Sequence, residues 1–263
     1  YYPMTSVVFI ILAFIIATCL SSKLGFSTSA KVNVIVLPLL VFSVLFIFFA
    51  NIKLFSFENV FPILGEGVYN TFITGLGNLG AFTGIIILYF LPPYLKKPED
   101  MKKIAITTTI IAGIYLLFCV AIILFMFRFL LNVDEVMPLY YATRYIQFGD
   151  FFQRLESFFL FIWILVITSF VTINIRLSME IFKKLTNSQN INSLVYSFGL
   201  IVFSIAMFPK DYAISKFLES TIYSYWTFGV SFVLGIGILI LANLKKRKSA
   251  HLPNQKGVLE ANE

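Results

Sequence analysis

The residues best placed to do chemistry lie in one run, Thr74-Gly75-Leu76-Gly77-Asn78-Leu79-Gly80-Ala81-Phe82-Thr83-Gly84, which leads into the apolar half Ile85 to Leu91. By its letters, Gly75-Leu76-Gly77-Asn78-Leu79-Gly80 is a dinucleotide fingerprint. That motif needs a preceding strand, a following soluble helix and an acid about 20 residues on, and the apolar surroundings supply none of them. Two readings remain. Gly80-x-x-x-Gly84 would let two helices pack closely, or the span is discontinuous and its unwound middle offers free N–H and C=O groups to a small ligand. Thr74, Asn78 and Thr83 favour the second, because polar atoms in lipid need partners or a water-lined cavity.

A second signal starts at Arg154-Leu155-Glu156-Ser157-Phe158-Phe159, passes Trp163, and places Thr168, Thr172 and Arg176 on one helical face. Either Arg154 and Glu156 anchor at headgroup level and the threonine hydroxyls bond back to their own helix, or this face lines the same cavity. Trp163 sits about 12 Å into its span by the 1.5 Å rise per residue, too deep for an aromatic belt, and needs a buried partner or a ligand. The candidate ligand-binding residues are therefore Thr74, Gly75, Gly77, Asn78, Gly80, Thr83 and Trp163.

Other chemistry lacks material. The single histidine, His251, lies in a polar tail, which argues against His-centred metal sites, Ser-His triads and His proton relays. Cys19 and Cys119 lie inside apolar runs and read as packing residues, not as a disulfide framework. The chain is expected to be neither an enzyme nor a binder of metal or cofactor.

The elements that must hold these residues follow from composition. Of 263 residues, 59% are hydrophobic and 13% charged, about half the usual charged share of a soluble domain, and the mean hydropathy is +0.90. So few polar side chains cannot cover a water-facing surface, so the chain reads as an all-α integral membrane protein. A bilayer core about 30 Å thick takes about 20 apolar residues per helix. Seven stretches qualify or nearly so: Met4 to Leu20, Val32 to Ala50, Thr71 to Leu91, Ile104 to Leu131, Leu155 to Ile175, Ile191 to Phe208 and Thr221 to Leu244.

Lysine and arginine set the expected orientation. The turns after the first, third and fifth stretches and the tail hold fourteen, against six on the other side. The C terminus is thus expected in the cytoplasm, with Lys245-Lys246-Arg247-Lys248 at the inner leaflet, where each basic residue gains about 1 kcal/mol from anionic lipid. A nucleic-acid partner is not expected. The longest connection, Asn132 to Arg154, carries Tyr140, Tyr141, Tyr145 and Phe148 at near-helical spacing and predicts a short helix lying in the membrane interface. Tyr1-Tyr2-Pro3 has no basic start or cleavage site, and the chain reads as a fragment preceded by an odd number of helices.

Pro62-x-x-Gly65 before a glycine-broken helix, Leu91-Pro92-Pro93-Tyr94-Leu95-Lys96-Lys97-Pro98 after it, and Arg154-Leu155-Glu156-x-x-Phe159-x-x-x-Trp163 together resemble the B subunit of bacterial spore germinant receptors. That family is similar to amino-acid permeases of the amino acid-polyamine-organocation superfamily, with ten helices in two inverted five-helix repeats. The resemblance implies that residues 1–50 hold the last two helices of a truncated first repeat, 51–244 a five-helix second repeat, and 245–263 a basic cytoplasmic tail. It implies a small germinant such as an amino acid held by Gly75 to Thr83, with the Trp163 face closing one side, and other receptor subunits as partners in the spore inner membrane. Residue spacing alone leaves a ligand-sensing subunit, a secondary transporter and a passive scaffold all open.

Overall fold

The structure, a computed structural model, describes residues 6–65, 67–75, 80, 82, 84–127, 138–146, 155–187, 191–223, 226–227 and 229–250. Among them there is no strand, and the chain separates into two units, residues 1–67 with 87–210, and residues 68–86 with 211–263.

The first unit contains α1 (Val7–Lys23), α2 (Phe26–Asn51), α4 (Met101–Met126), α5 (Pro138–Arg144), α6 (Leu155–Thr186) and α7 (Ile191–Ala206). Between α1 and α2 only Leu24 and Gly25 intervene, and Gly25 takes φ +88°, a left-handed conformation that glycine adopts without steric cost. The second helix therefore begins at Phe26, six residues before the apolar run that announced it, since Ser-Thr-Ser-Ala-Lys is polar but still able to form a helix. Pro38 lies inside α2, a placement membrane helices tolerate when neighbouring groups re-satisfy the freed carbonyl.

Three helical runs, Phe26–Leu54, Pro98–Met126 and Leu155–Thr186, are long and apolar enough to cross a membrane. Their outward faces carry side chains such as Val34 and Leu117, each 72% exposed, which water would penalise and lipid does not. Val7–Lys23, Asn192–Ala206 and Gly229–Leu244 are apolar but shorter.

Helix α6 organises the first unit because it supplies residues to three apolar clusters. Near its start, Phe159 joins Val44 and Ile47 of α2, Cys119 and Ile122 of α4, and Tyr140 and Ala142 of α5. Near its end, Ile175 and Met179 meet Cys19 of α1 and Val195 of α7. Beside these, Ile173 and Leu177 meet Phe26, with Ile87, Phe90 and Leu91 packed on them. Both cysteines are buried free thiols. Where α1 and α7 cross, a Cβ added at Gly199 would lie 2.5 Å from the Cys19 sulfur.

The connection expected to carry a short interfacial helix contains α5: Tyr140, Ala142 and Thr143 are buried against the protein, Tyr145 is exposed, Phe148 lies outside the described residues, and the buried Asn51 amide donates to Ala142 O at 3.2 Å. Its tyrosine spacing marked a helix correctly; what the tyrosines face depended on the hollow between α2, α4 and α6.

The second unit is built differently. Its 68–86 part holds a π-helical turn, Asn70–Thr74, and the start of α3 (Ile85–Tyr89). Its 211–263 part holds α8 (Tyr212–Phe217), π-helical turns at Leu218–Tyr223 and Gly229–Leu234, and α9 (Gly235–Ala250). Asp211 caps α8, accepting from Ile214 N at 2.8 Å.

Candidate functional site

The third apolar stretch is the candidate site. Val68 and Tyr69 are helical, Asn70–Thr74 form a π turn, and Gly75 closes it with φ −60°, ψ −29°. Gly80 and Phe82 lie in 3-10 turns, Gly84 in a turn, and α3 then runs for five residues. Among the described residues between Val68 and Leu91 there is no α-helix longer than α3. π and 3-10 turns replace the regular i→i−4 ladder and redirect carbonyls and amides from it. The π turn itself, Asn70-Thr71-Phe72-Ile73-Thr74, contains no glycine; the glycines that follow it weaken a continuous coil, since each helical glycine costs about 1 kcal/mol relative to alanine.

Of the sequence-derived residues, Gly75 and Gly80 are placed as above, and Thr74 ends the π turn. Gly77, Asn78 and Thr83 lie outside the described residues. Of the Gly80-x-x-x-Gly84 pair, a Cβ added at Gly84 would meet no atom within 4 Å, as would one added at Gly75.

Trp163 belongs to the other unit. Its ring is half-buried and packs on the apolar cluster of Val44, Ile122, Tyr140 and Phe159, so the buried partner its depth demanded is the protein core. The threonine face of α6 also follows the self-contained reading, since Thr168 Oγ1 donates to Ile164 O at 2.8 Å and Thr172 Oγ1 to Thr168 O at 2.7 Å.

Continuing that face one turn reaches a group that sequence reasoning missed. Arg176 Nε donates to Glu180 Oε1 at 2.9 Å, and Tyr94 Oη donates to Glu180 Oε2. A second arm of the guanidinium, Nη1, reaches Ser22 O at 3.3 Å, in the last turn of α1. Tyr94 also stacks on Phe26 with ring centroids 4.3 Å apart. Burial, and then the bond to the Glu180 carboxylate, push the Tyr94 phenol up to about 12. The signal is present as Arg176-x-x-x-Glu180, an i,i+4 pair, but the apolar run ends at Ile175, whereas α6 continues to Thr186.

A cavity of about 610 Å³ lies between α2, α5 and the start of α6, lined by Phe42, Phe46, Phe158 and Phe159 among others. The two hydroxyls on its wall, Ser43 and Thr143, donate to their own helices' carbonyls, Leu40 O and Tyr140 O, which leaves an apolar space. Among the described residues, no three His, Cys, Asp or Glu side chains converge as a metal would need.

Long apolar helices, outward aliphatic faces and a glycine-interrupted stretch define a helical membrane protein. Residues 1–215 match the family described as Spore germination protein, and the chain belongs to that family. It is similar to spore germination protein A2 of Bacillus subtilis (strain 168), 25% identical over 254 residues covering 92% of this chain and 66% of that protein. It is also similar to spore germination protein YndE of the same organism, 25% identical over 237 residues covering 85% of this chain and 61% of that protein. The chain thus spans a little under two thirds of the length of these relatives. No solved structure matches.

Proposed function

We propose that this chain is the membrane subunit of a nutrient receptor that binds a small solute, such as an amino acid, at the interrupted third stretch and thereby triggers spore germination. The observation that supports the reading is the π turn Asn70–Thr74, with Gly80 and Phe82 in 3-10 turns among the described residues that follow it, in a chain of the spore germination family. Peptide groups released from a helical ladder in a low-dielectric setting bind strongly to the ammonium and carboxylate groups of such a solute, because hydrogen bonds there compete with little water. Gly75, Gly77 and Gly80 allow close approach to the backbone, and Thr74, Asn78 and Thr83 supply side-chain oxygens and an amide. The proposal does not depend on Trp163.

Seven spans, a second inverted repeat, a cytoplasmic C terminus, the spore inner membrane and contacts with other receptor subunits belong to the same reading. The charge asymmetry and the relatives' germination role support them. An interrupted span would serve a secondary transporter equally well, so uptake is the alternative outcome.

The test uses the full-length protein. Spores carrying Gly77→Leu or Asn78→Ala should need at least about tenfold more germinant for half-maximal response at unchanged protein level. An unchanged dose response in both removes the site. Radiolabelled amino-acid uptake into vesicles that Gly77→Leu abolishes would assign transport instead.

A further inference from the structure

We propose that Arg176, Glu180 and Tyr94 form a releasable clasp that holds the segment after the glycine-rich stretch against α6 and α1, and that its release carries the bound state to that end of the molecule. The inference rests on the proposed function in taking the third stretch as the moving part.

The clasp joins three separate parts of the chain through one carboxylate. Glu180 uses one oxygen for Arg176 on its own helix and the other for Tyr94, 86 residues away in sequence. Arg176 in turn reaches Ser22 O, a carbonyl in the last turn of α1 that also accepts from Gly25 N at 3.3 Å. Removing the Glu180 carboxylate would therefore take the acceptor from the Tyr94 hydroxyl and from Arg176 Nε at the same time.

The setting suits a switch. The Arg176 and Glu180 side chains are 16% and 21% exposed. They are shielded enough that the charge-assisted bonds exceed those of a surface pair. They also stay close enough to water that breaking the pair does not strand a charge in the interior. Below them is an apolar half of the same contact, Ile87, Phe90 and Leu91 against Phe26, Ile173 and Leu177.

The connection to the third stretch is short and stiff. Helix α3 ends at Tyr89, Phe90 and Leu91 follow, and Pro92–Tyr94 form a 3-10 turn closed by Tyr94 N to Leu91 O at 2.9 Å. Two consecutive prolines fix φ at Pro92 and Pro93, so a shift of α3 reaches the Tyr94 hydroxyl instead of being absorbed by the chain. Ordinary solvated turns do not transmit motion in this way.

The test is a spin-label distance measurement on full-length protein in lipid vesicles, between labels at Lys96→Cys and Leu185→Cys, with Cys19 and Cys119 replaced by alanine. The parent should give one narrow distance population. Tyr94→Phe keeps the ring on Phe26 and removes only the hydroxyl, and Glu180→Gln removes the charge. Each should add a second, longer population, and the same spores should respond to about tenfold less germinant. If Glu180→Gln does not accumulate, Tyr94→Phe decides alone. A parent-like single population in Tyr94→Phe overturns the clasp. Longer distances in the variants, with no change in the parent on adding the standard amino acids, would keep the clasp and count against the solute reading.

Discussion

Helix α6 and the third apolar stretch are both hydrophobic enough to be drawn as membrane spans, yet one is a continuous coil of 32 residues, whereas the described residues of the other form a π turn, 3-10 turns and a five-residue helix. Hydrophobicity does not separate them; glycine does. Between Leu155 and Thr186 there is no glycine, and between Val68 and Leu91 there are Gly75, Gly77, Gly80 and Gly84. The continuous helix spends its side chains on packing, feeding three apolar clusters. Among the described residues of the other, Phe72 and Ile73 are exposed, and Asn70–Thr74 follow π instead of α hydrogen bonding.

The sharpest way to break this comparison is to truncate both. Met179→Ala in α6, at a side chain with 0% exposure, should cost about 2–5 kcal/mol, read as loss of folded protein in thermal or denaturant unfolding. Ile73→Ala, at 50% exposure, should stay within about 0.5 kcal/mol of the parent. Equal losses would mean that the third stretch is framework too.

Glycine substitutions should then diverge. Gly199→Ala forces a methyl into the Cys19 sulfur and should destabilise by about 1–3 kcal/mol through overpacking. Gly75→Ala meets open space at an ordinary helical φ, and should be neutral or stabilising by up to about 1 kcal/mol while weakening the germinant response. A Gly75→Ala protein that is both unstable and fully responsive would reverse the assignment.

The smallest effect concerns pH. The Tyr94 phenol is raised to about 12, above the ordinary value near 10, so its contribution to the folded state is complete below about pH 10 and is lost as pH rises through about 12. Thermal stability of the parent and of Tyr94→Phe should therefore differ by a constant amount between pH 6 and 9. A gap that closes within that range would show that Tyr94 does not donate as a neutral phenol.

Much of this was legible in the sequence because hydropathy and glycine act locally. The runs that became α1, α2, α4, α6 and α7 are visible as apolar stretches, and the disturbed third run is visible as a glycine cluster. Tertiary features were less visible. The burial of Tyr140 and Thr143 needed the hollow between three other helices, and Trp163 found its partner in residues more than a hundred positions away, such as Val44. Tyr94 is visible in the sequence only as a letter of the Leu91 to Pro98 motif and Glu180 carries no signal toward it, because a hydrogen bond across 86 residues leaves no local periodicity.

We propose that the third stretch binds its solute through backbone groups held within a membrane framework. Amide hydrogen exchange on the full-length protein in lipid tests it most directly, comparing residues 70–84 with residues 158–172 of α6, with and without the standard amino acids. The account predicts fast exchange in 70–84 that slows on adding the solutes, against slow and unchanged exchange in α6. Protection in 70–84 equal to that of α6, unaffected by any solute, would contradict it.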